Sequence, residues 1–495
     1  MSQTHLWVYK DPHEEDRWVV FNDVDQIALD GAQHDGSTVA IPVLGGRCDA
    51  YISQRFMRTV YDLNSVEMKI LKATWFVESV PFSEIDGRLI TDWSQSPSDK
   101  RKKFPLQLSS DRKVILSNDG KILLAGQGLL SSNRPLFSVS DPAFPLEVPN
   151  VLLDDPNLPC EHLIISVHGI GESLWSRKAF SMRPFEVSCA TLRRNINDFS
   201  VQPGDGRVEV LHINWYHILS ESTYSKRVQD ITLPTVPVLR QLANEAVADV
   251  FFYLNKDHHD SILTFVAGRI ISIVELFKSR NPAFSGKLSL VGHSLGSVIC
   301  YDILMTKRLI QDIHFHNLFL LGSPLGIFLT ARDEKDILPF SQCKRVYNVF
   351  QPNDPVVYRI EPFIIQALKG IEPAIIPYFQ SGGLATTTQV KRTASSLLGL
   401  FSGGDTSVFE KLTHVVSGPP PPKADSPMGI ALKQIETMND GQRIDWTVQL
   451  GFMPGATEYA DALTAHMSYF DNKDVAKFIY DRIRNHAAGS PIIPE

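Results

Sequence analysis

The chain has 495 residues, 43% of them hydrophobic and 21% charged, the balance of a protein that buries a large apolar core, which excludes a wholly disordered one. With 48 basic against 55 acidic side chains the net charge is −7, so there is no cationic excess to displace counterions from a phosphate backbone, and nucleic acid is a poor partner. Five widely spaced cysteines without a C-x-x-C pair argue against a disulfide framework, a thiol redox motif and a cysteine-rich zinc site, and point to a reducing, cytosolic compartment.

The start, MSQTHLWVYKDPHEEDRWVV, lacks the basic-then-apolar order of a secretory signal. No stretch reaches the ~18 uninterrupted apolar residues that span a bilayer. Any membrane contact is therefore expected to be peripheral.

Residues 1–150 show short β-branched or alternating runs separated by turn residues: WVVFNDV, STVAIPVL, ATWFVESV, RKVILS and KILLAG, the last two split by the hairpin signal Asn118-Asp119-Gly120. This predicts a small β-rich domain, closed by the Pro-rich acidic linker at 141–159. From 151 to 495 the pattern predicts a second domain of strands alternating with longer helical stretches. Its strands are HLIISVHG, VEVLHINWY, KLSLVGH, NLFLLGSP, RVYNVFQP and RIDWTVQL, with a helical stretch over 236–280. Continuously apolar strands are buried on both faces, which predicts a mostly parallel α/β sheet with helices on either side. Between 380 and 440, with four prolines at 419–422, a flexible insertion is expected. No repeat of 20–50 residues is visible.

The segment KLSLVGHSLGSVICY (287–301) places G-x-S-x-G between a strand and a helical pattern. A strand-to-helix turn that sharp holds a serine in a strained backbone and lets the flanking glycines come close, so Ser294 is the expected nucleophile. The Leu295 N–H, at the start of the helix, is the expected oxyanion donor. A second donor is expected from the strand running into His168-Gly169-Ile170-Gly171, from either Gly169 or Ile170.

A serine hydroxyl needs a base, and the base needs a carboxylate to fix its tautomer. The strand, serine turn and helix on a mostly parallel sheet predict an α/β-hydrolase fold, in which both follow the serine in the chain. Asp354 lies in the turn QPNDPVV after the strand RVYNVF and is the expected acid; His466 lies after the last predicted strand and is the expected base. His414 precedes that strand and His486 sits in the charged C-terminal run, so both are worse placed.

Together these residues resemble the DDHD-domain family of intracellular phospholipases A1, some of which prefer phosphatidic acid. The motifs are V-H-G-I-G at 167–171, G-H-S-L-G-S at 292–297, N-D-P-V-V-Y-R-I-E-P at 353–362, R-I-D-W-T-V-Q at 443–449 and A-L-T-A-H-M-S-Y-F with K-D-V at 462–475. The four letters of the family name would fall on Asp354, Asp445, His466 and Asp474. V-x-x-x-R-x-D at 43–49 and A-T-W-F at 73–76 are similar to the family's WWE-like region. No SAM-like segment separates the two regions.

The resemblance implies a serine hydrolase of glycerophospholipid acyl esters, cytoplasmic and peripherally membrane-associated, without cofactor or metal. Asp445 and Asp474 would then have supporting roles, Asp474 by capping a helix that begins at Val475. A metal site built from Asp354, Asp445, His466 and Asp474 is the competing reading of the same residues. Two other functions compete: a neutral-lipid lipase or acyltransferase on the same triad, and a non-catalytic membrane-trafficking scaffold. Candidate membrane contacts are Trp175, the stretch 360–378, and Leu397, Leu398, Gly399, Leu400 and Phe401, with Lys369, Lys391 and Arg392 for anionic headgroups; plain core packing of the apolar residues and ordinary solvated surface charge are the competing readings, and the ones to prefer for any single residue. Self-association is left open.

Overall fold

The computed structural model describes residues 4–14, 16–126, 131–144, 158–169, 184–200, 206–215, 230–233, 235, 250–251, 253–306, 308–310, 312–334, 341–364, 366–380, 439–440, 442–449 and 465–484. The chain divides into two compact units, Met1–Leu158 and Pro159–Glu495.

The first unit holds twelve strands among its described residues. They are β1 (Leu6–Lys10), β2 (Trp18–Val20), β3 (Ile41–Val43), β4 (Cys48–Tyr51), β5 (Phe56–Thr59), β6 (Glu67–Ala73), β7 (Trp75–Val77), β8 (Val80–Pro81), β9 (Leu106–Gln107), β10 (Lys113–Leu116), β11 (Ile122–Leu124) and β12 (Arg134–Ser138). These form two antiparallel sheets, ordered β2-β1-β6-β5-β4-β3 and β8-β7-β12-β11-β10-β9. With β1–β6 laid on β7–β12 the two orders are identical. Each sheet also receives a helix between its second and third strands, α1 (Asp23–His34) and α2 (Glu84–Ser94), the latter followed by the short α3 (Ser98–Lys103).

The two halves are built alike in detail. Asn22 and Ser83 cap α1 and α2 by accepting from the N–H of Asp25 and Asp86. The carboxylates of those aspartates then accept from the backbone of the next strand region, Leu44 N–H and Ser109 N–H. Leu29 and Ile90 anchor each helix in its own apolar cluster. The first unit is thus a tandem of one small motif, its period longer than the 20–50 residues over which the sequence shows no repeat. The three helices are additions to the expected β-rich pattern.

The second unit is built on β13 (Cys160–Val167), β14 (Arg207–Ile213), β15 (Lys287–His293), β16 (Phe315–Leu321), β17 (Cys343–Phe350), β18 (Ala374–Ile375) and β19 (Asp445–Thr447). The order is β14-β13-β15-β16-β17-β19-β18 and every neighbouring pair is parallel. The six predicted strands are all present, the last shorter than expected. Helix α4 (Phe185–Asn197) and the C-terminal helix α9 (Lys473–Arg484) share a core with Ile164, Val291, Phe319 and Tyr347. Alternate strand residues point the other way, where α6 (Leu295–Met305) packs on β13, β15 and β16 and against α5 (Lys256–Arg280) and α7 (Leu325–Arg332). The short helix α8 (Glu361–Ile364) follows β17. Residues 381–438, most of the expected insertion, lie outside the described residues.

From β13 the chain moves outward to β14 and then returns to the other side of β13 as β15. The carboxyl ends of β13 and β15 therefore face a topological switch point, where open parallel sheets leave a crevice.

Candidate active site

One residue joins the end of β15 to the start of α6. That residue is Ser294, held at φ 51° and ψ −127°, a region few side-chain-bearing residues adopt. Its N–H donates to the Leu321 carbonyl at 3.0 Å. Its own carbonyl accepts from the Ser297 N–H at 3.0 Å and the Ser297 hydroxyl at 2.5 Å. The flanking glycines are required by contact: a Cβ on Gly292 would strike Ser297 Cα, and one on Gly296 would strike the carbonyl oxygens of Val167 and His168. Leu295 opens α6, so its N–H has no carbonyl one turn behind it.

The neighbouring strand β13 delivers Gly169 to the same place. A Cβ there would lie 2.5 Å from Ser294 Cβ and 3.2 Å from its Oγ. The turn is pinned by His168, whose Nδ1–H donates to the Gly169 carbonyl at 2.6 Å while Nε2 accepts from the Trp215 N–H at 3.1 Å. The two partners fix the tautomer. The ring also stacks on Trp215, centroids 5.0 Å apart and 6° from parallel. Ile170 and Trp175 lie outside the described residues.

Asp354 and His466, 112 residues apart, are brought into contact. His466 Nδ1 lies 2.9 Å from Asp354 Oδ2 and 3.1 Å from Oδ1. The carboxylate also accepts from the Val356 N–H at 2.9 Å and the Tyr469 hydroxyl at 2.7 Å. Burial raises the Asp354 pKa, but the His466 hydrogen bond and charge, with the Val356 amide and Tyr469, outweigh it and hold the carboxyl below its usual range. An ionised acceptor at Nδ1 puts the proton there and leaves Nε2 as the basic nitrogen.

Three links tie this pair to the serine turn. Leu321 accepts the Ser294 N–H. The next residue, Gly322, is so close that a Cβ on it would lie 2.8 Å from the Tyr469 ring, 3.1 Å from Asp354 Oδ2 and 3.2 Å from His466 Nδ1. His293, immediately before the serine, bonds the His466 carbonyl at 2.8 Å. Among the described residues neither Ser294 Oγ nor His466 Nε2 makes a hydrogen bond.

The other two residues of the four-residue set go elsewhere. Asp445 is fully buried in β19 and accepts from Asn348 Nδ2 at 2.9 Å and Arg359 Nε at 3.0 Å, together with the N–H groups of Ile360 and Glu361. Burial and the neighbouring Glu361 charge push its pKa up to about 6. Asp474 does not cap its helix: α9 begins at Lys473 and Asn472 caps it, accepting from the Asp474 and Val475 N–H groups. Asp474 instead accepts from the Phe379 N–H at 2.8 Å. Of the four, only Asp354 and His466 bond each other, and no group of three metal-ligating side chains gathers among the described residues.

In the stretch 360–378 the alternative reading, core packing, holds at four positions. Ile360, Leu368, Ala374 and Ile376 are buried core residues, because this segment folds back to supply β18 beside β19. Lys369 is exposed in a short 3-10 helix, Gln366–Gly370, that precedes β18. Lys391, Arg392, Leu397, Leu398, Gly399, Leu400, Phe401, His414 and His486 lie outside the described residues. No helix among the described residues is long and apolar enough to cross a membrane.

Sequence reasoning passed over His168, His293, Gly322 and Tyr469. All four stood inside motifs already noticed, but each acts by a contact with a residue distant in the chain.

Residues 312–417 and 421–484 match the model of the DDHD domain, bearing out the resemblance read from the motifs. That span includes Asp354, Asp445, His466 and Asp474 and leaves Ser294 and Gly169 outside. The chain is 24% identical to a triacylglycerol hydrolase, DDHD2, of Mus musculus over 96% of its own length and 92% of that protein. It is 28% identical to a probable mitochondrial phospholipase of Saccharomyces cerevisiae, covering 65% of this chain and 49% of that one. It is also 28% identical to an intracellular phospholipase A1 of Caenorhabditis elegans, over 44% and 33% of the two chains.

Proposed function

From the premise that this chain carries a DDHD domain and has lipid-ester hydrolases as relatives along its length, we infer that it is a serine hydrolase of glycerolipid acyl esters, built on an α/β-hydrolase fold. Ser294 Oγ attacks the ester carbonyl as His466 Nε2 takes its proton, and Asp354 holds the imidazole through Nδ1–H and stabilises it once charged. The carbonyl oxygen, now carrying negative charge, is met by the Leu295 N–H and by the Gly169–Ile170 turn. Collapse expels the alcohol, which takes the proton back from His466, and leaves an acyl-Ser294 ester. A water activated by His466 then hydrolyses that ester, releasing the fatty acid.

The observation that carries this reading is the single sheet edge shared by a serine with left-handed φ and an Asp–His pair, bridged by the Leu321 carbonyl and Gly322. Ser294→Ala should lose on the order of 10⁶-fold in rate if the three residues act as a unit. A fluorophosphonate probe should label Ser294 in the parent and nothing in the variant. Parental turnover in Ser294→Ala would overturn the assignment.

The substrate within this class is a phospholipid, with phosphatidic acid first among those to assay, at the surface of a membrane the enzyme contacts peripherally. A neutral lipid is the second reading, favoured by the coverage of the mouse triacylglycerol hydrolase. Mass spectrometry of the products from vesicles holding both lipids separates the two.

A further inference from the structure

We propose that His293 is a positioning residue, a neutral imidazole that ties the backbone of the histidine loop to the nucleophile turn. The inference rests on the serine-hydrolase reading above and extends it to a residue outside the triad.

His293 is the first variable residue of G-x-S-x-G and is buried beneath the turn. Its Nε2 lies 2.8 Å from the His466 carbonyl. A carbonyl oxygen only accepts, so Nε2 carries the proton and donates it. The ring lies 4.9 Å from the His466 ring and also meets Tyr469 and Phe470, centroids at 6.0 and 5.6 Å. Ser294 is covalently next to the donor and His466 owns the acceptor. This hydrogen bond therefore sets the distance between nucleophile and base in a way that the Asp354 contact, made to the far side of the imidazole, does not.

The residue type follows from the charge that develops during turnover. A lysine or arginine could donate to the same carbonyl, but would put a permanent cation within about 5 Å of an imidazole that must itself become cationic, which opposes proton uptake. Burial and the neighbouring His466 push the His293 pKa down to about 3, so it donates while staying neutral. A serine or threonine at 293 would be too short to reach.

The test compares three variants of the full chain on a soluble p-nitrophenyl ester, which removes interfacial binding from the kinetics. His293→Phe fills the space without a donor; kcat should fall about 10- to 100-fold with KM within about 2-fold, as expected for sub-ångström misplacement of a base. The rate of fluorophosphonate labelling should fall by the same factor. His293→Gln carries an N–H to about the same point and should recover to within about 3-fold of the parent. His293→Asn is small enough to fit but stops short of the carbonyl; it should behave like Phe and stands in for it if that variant does not fold.

A parental kcat in Phe or Asn overturns the inference. So does an equal loss in Gln and Phe, which would mean the ring matters only as packing. Ser294→Ala assayed alongside separates the two failures. Parental activity there overturns the serine reading, whereas an inert Ser294→Ala beside an unimpaired His293→Phe overturns the present inference alone.

Discussion

Tyr469 donates its hydroxyl to Asp354 Oδ2 at 2.7 Å, on the same oxygen that His466 Nδ1 approaches at 2.9 Å. That hydroxyl also accepts the Gln351 N–H at 2.9 Å, so one buried side chain fixes both the start of the turn and the carboxylate within it. Tyr469→Phe removes the donor and strands a backbone amide. Stability should fall by about 1–3 kcal/mol, and kcat should drop about tenfold as the carboxylate loosens. Thermal unfolding and ester turnover of the same preparation check both.

The low pKa of Asp354 carries a sign. A carboxyl held below its unfolded value adds stability at pH above about 4, and that contribution is lost as pH falls through its folded value. Tyr469→Phe should therefore narrow the gap between native and variant in strong acid. A gap that stays unchanged from neutral pH down through the folded pKa of Asp354 would count against this account of the pair.

Gly322→Ala tests the shared edge. Its φ of 60° already disfavours a Cβ, and the new methyl would press on Tyr469, Asp354 and His466 together. Turnover should fall by about 10² or more, since the Asp–His pair must shift relative to Ser294. The measurement is kcat, set against circular dichroism to show that the sheet persists.

His168→Phe keeps the stack on Trp215 but removes the hydrogen bonds to the Gly169 carbonyl and from the Trp215 N–H. On the proposed mechanism this turn faces the developing oxyanion, and it is then free to rotate. The expected loss is in kcat, about 10²-fold if one oxyanion donor is effectively removed, with KM little changed.

Asp445→Asn probes the buried cluster behind the Asp354 loop. Both Asp445 oxygens accept from donors, so an amide nitrogen there faces Arg359 or Asn348. The variant should be less stable by about 1–3 kcal/mol, the cost of setting an amide N–H against donors that a carboxyl oxygen accepts from. The folded pKa of Asp445, about 6, lies above its unfolded value. Its contribution is therefore fully present below about pH 4 and lost as pH rises through 6, so the parent's advantage over the variant should shrink across that window. Dialysis against EDTA without loss of activity would exclude the metal reading of this set.

The amino-acid sequence alone determined the alternating strands and helices of the second unit, the glycine-flanked serine and the turns after β13, β15 and β17. These are local properties: an apolar run or a glycine acts through its immediate neighbours, and such patterns survive in one dimension. The stretch 360–378 is undecided in one dimension, because buried strand and membrane-facing loop have the same apolar composition; burial and the pairing of β18 with β19 put Ile360, Leu368, Ala374 and Ile376 in the core. The tandem in the first unit was hidden because its two halves share a strand order and a capping scheme rather than residues. Whether Asp354 meets His466, that Asp445 does not, and that His293 reaches the histidine loop were decided by tertiary structure. These contacts join residues about a hundred or more positions apart, and their geometry is set by the order and parallel register of the sheet, which no local pattern encodes.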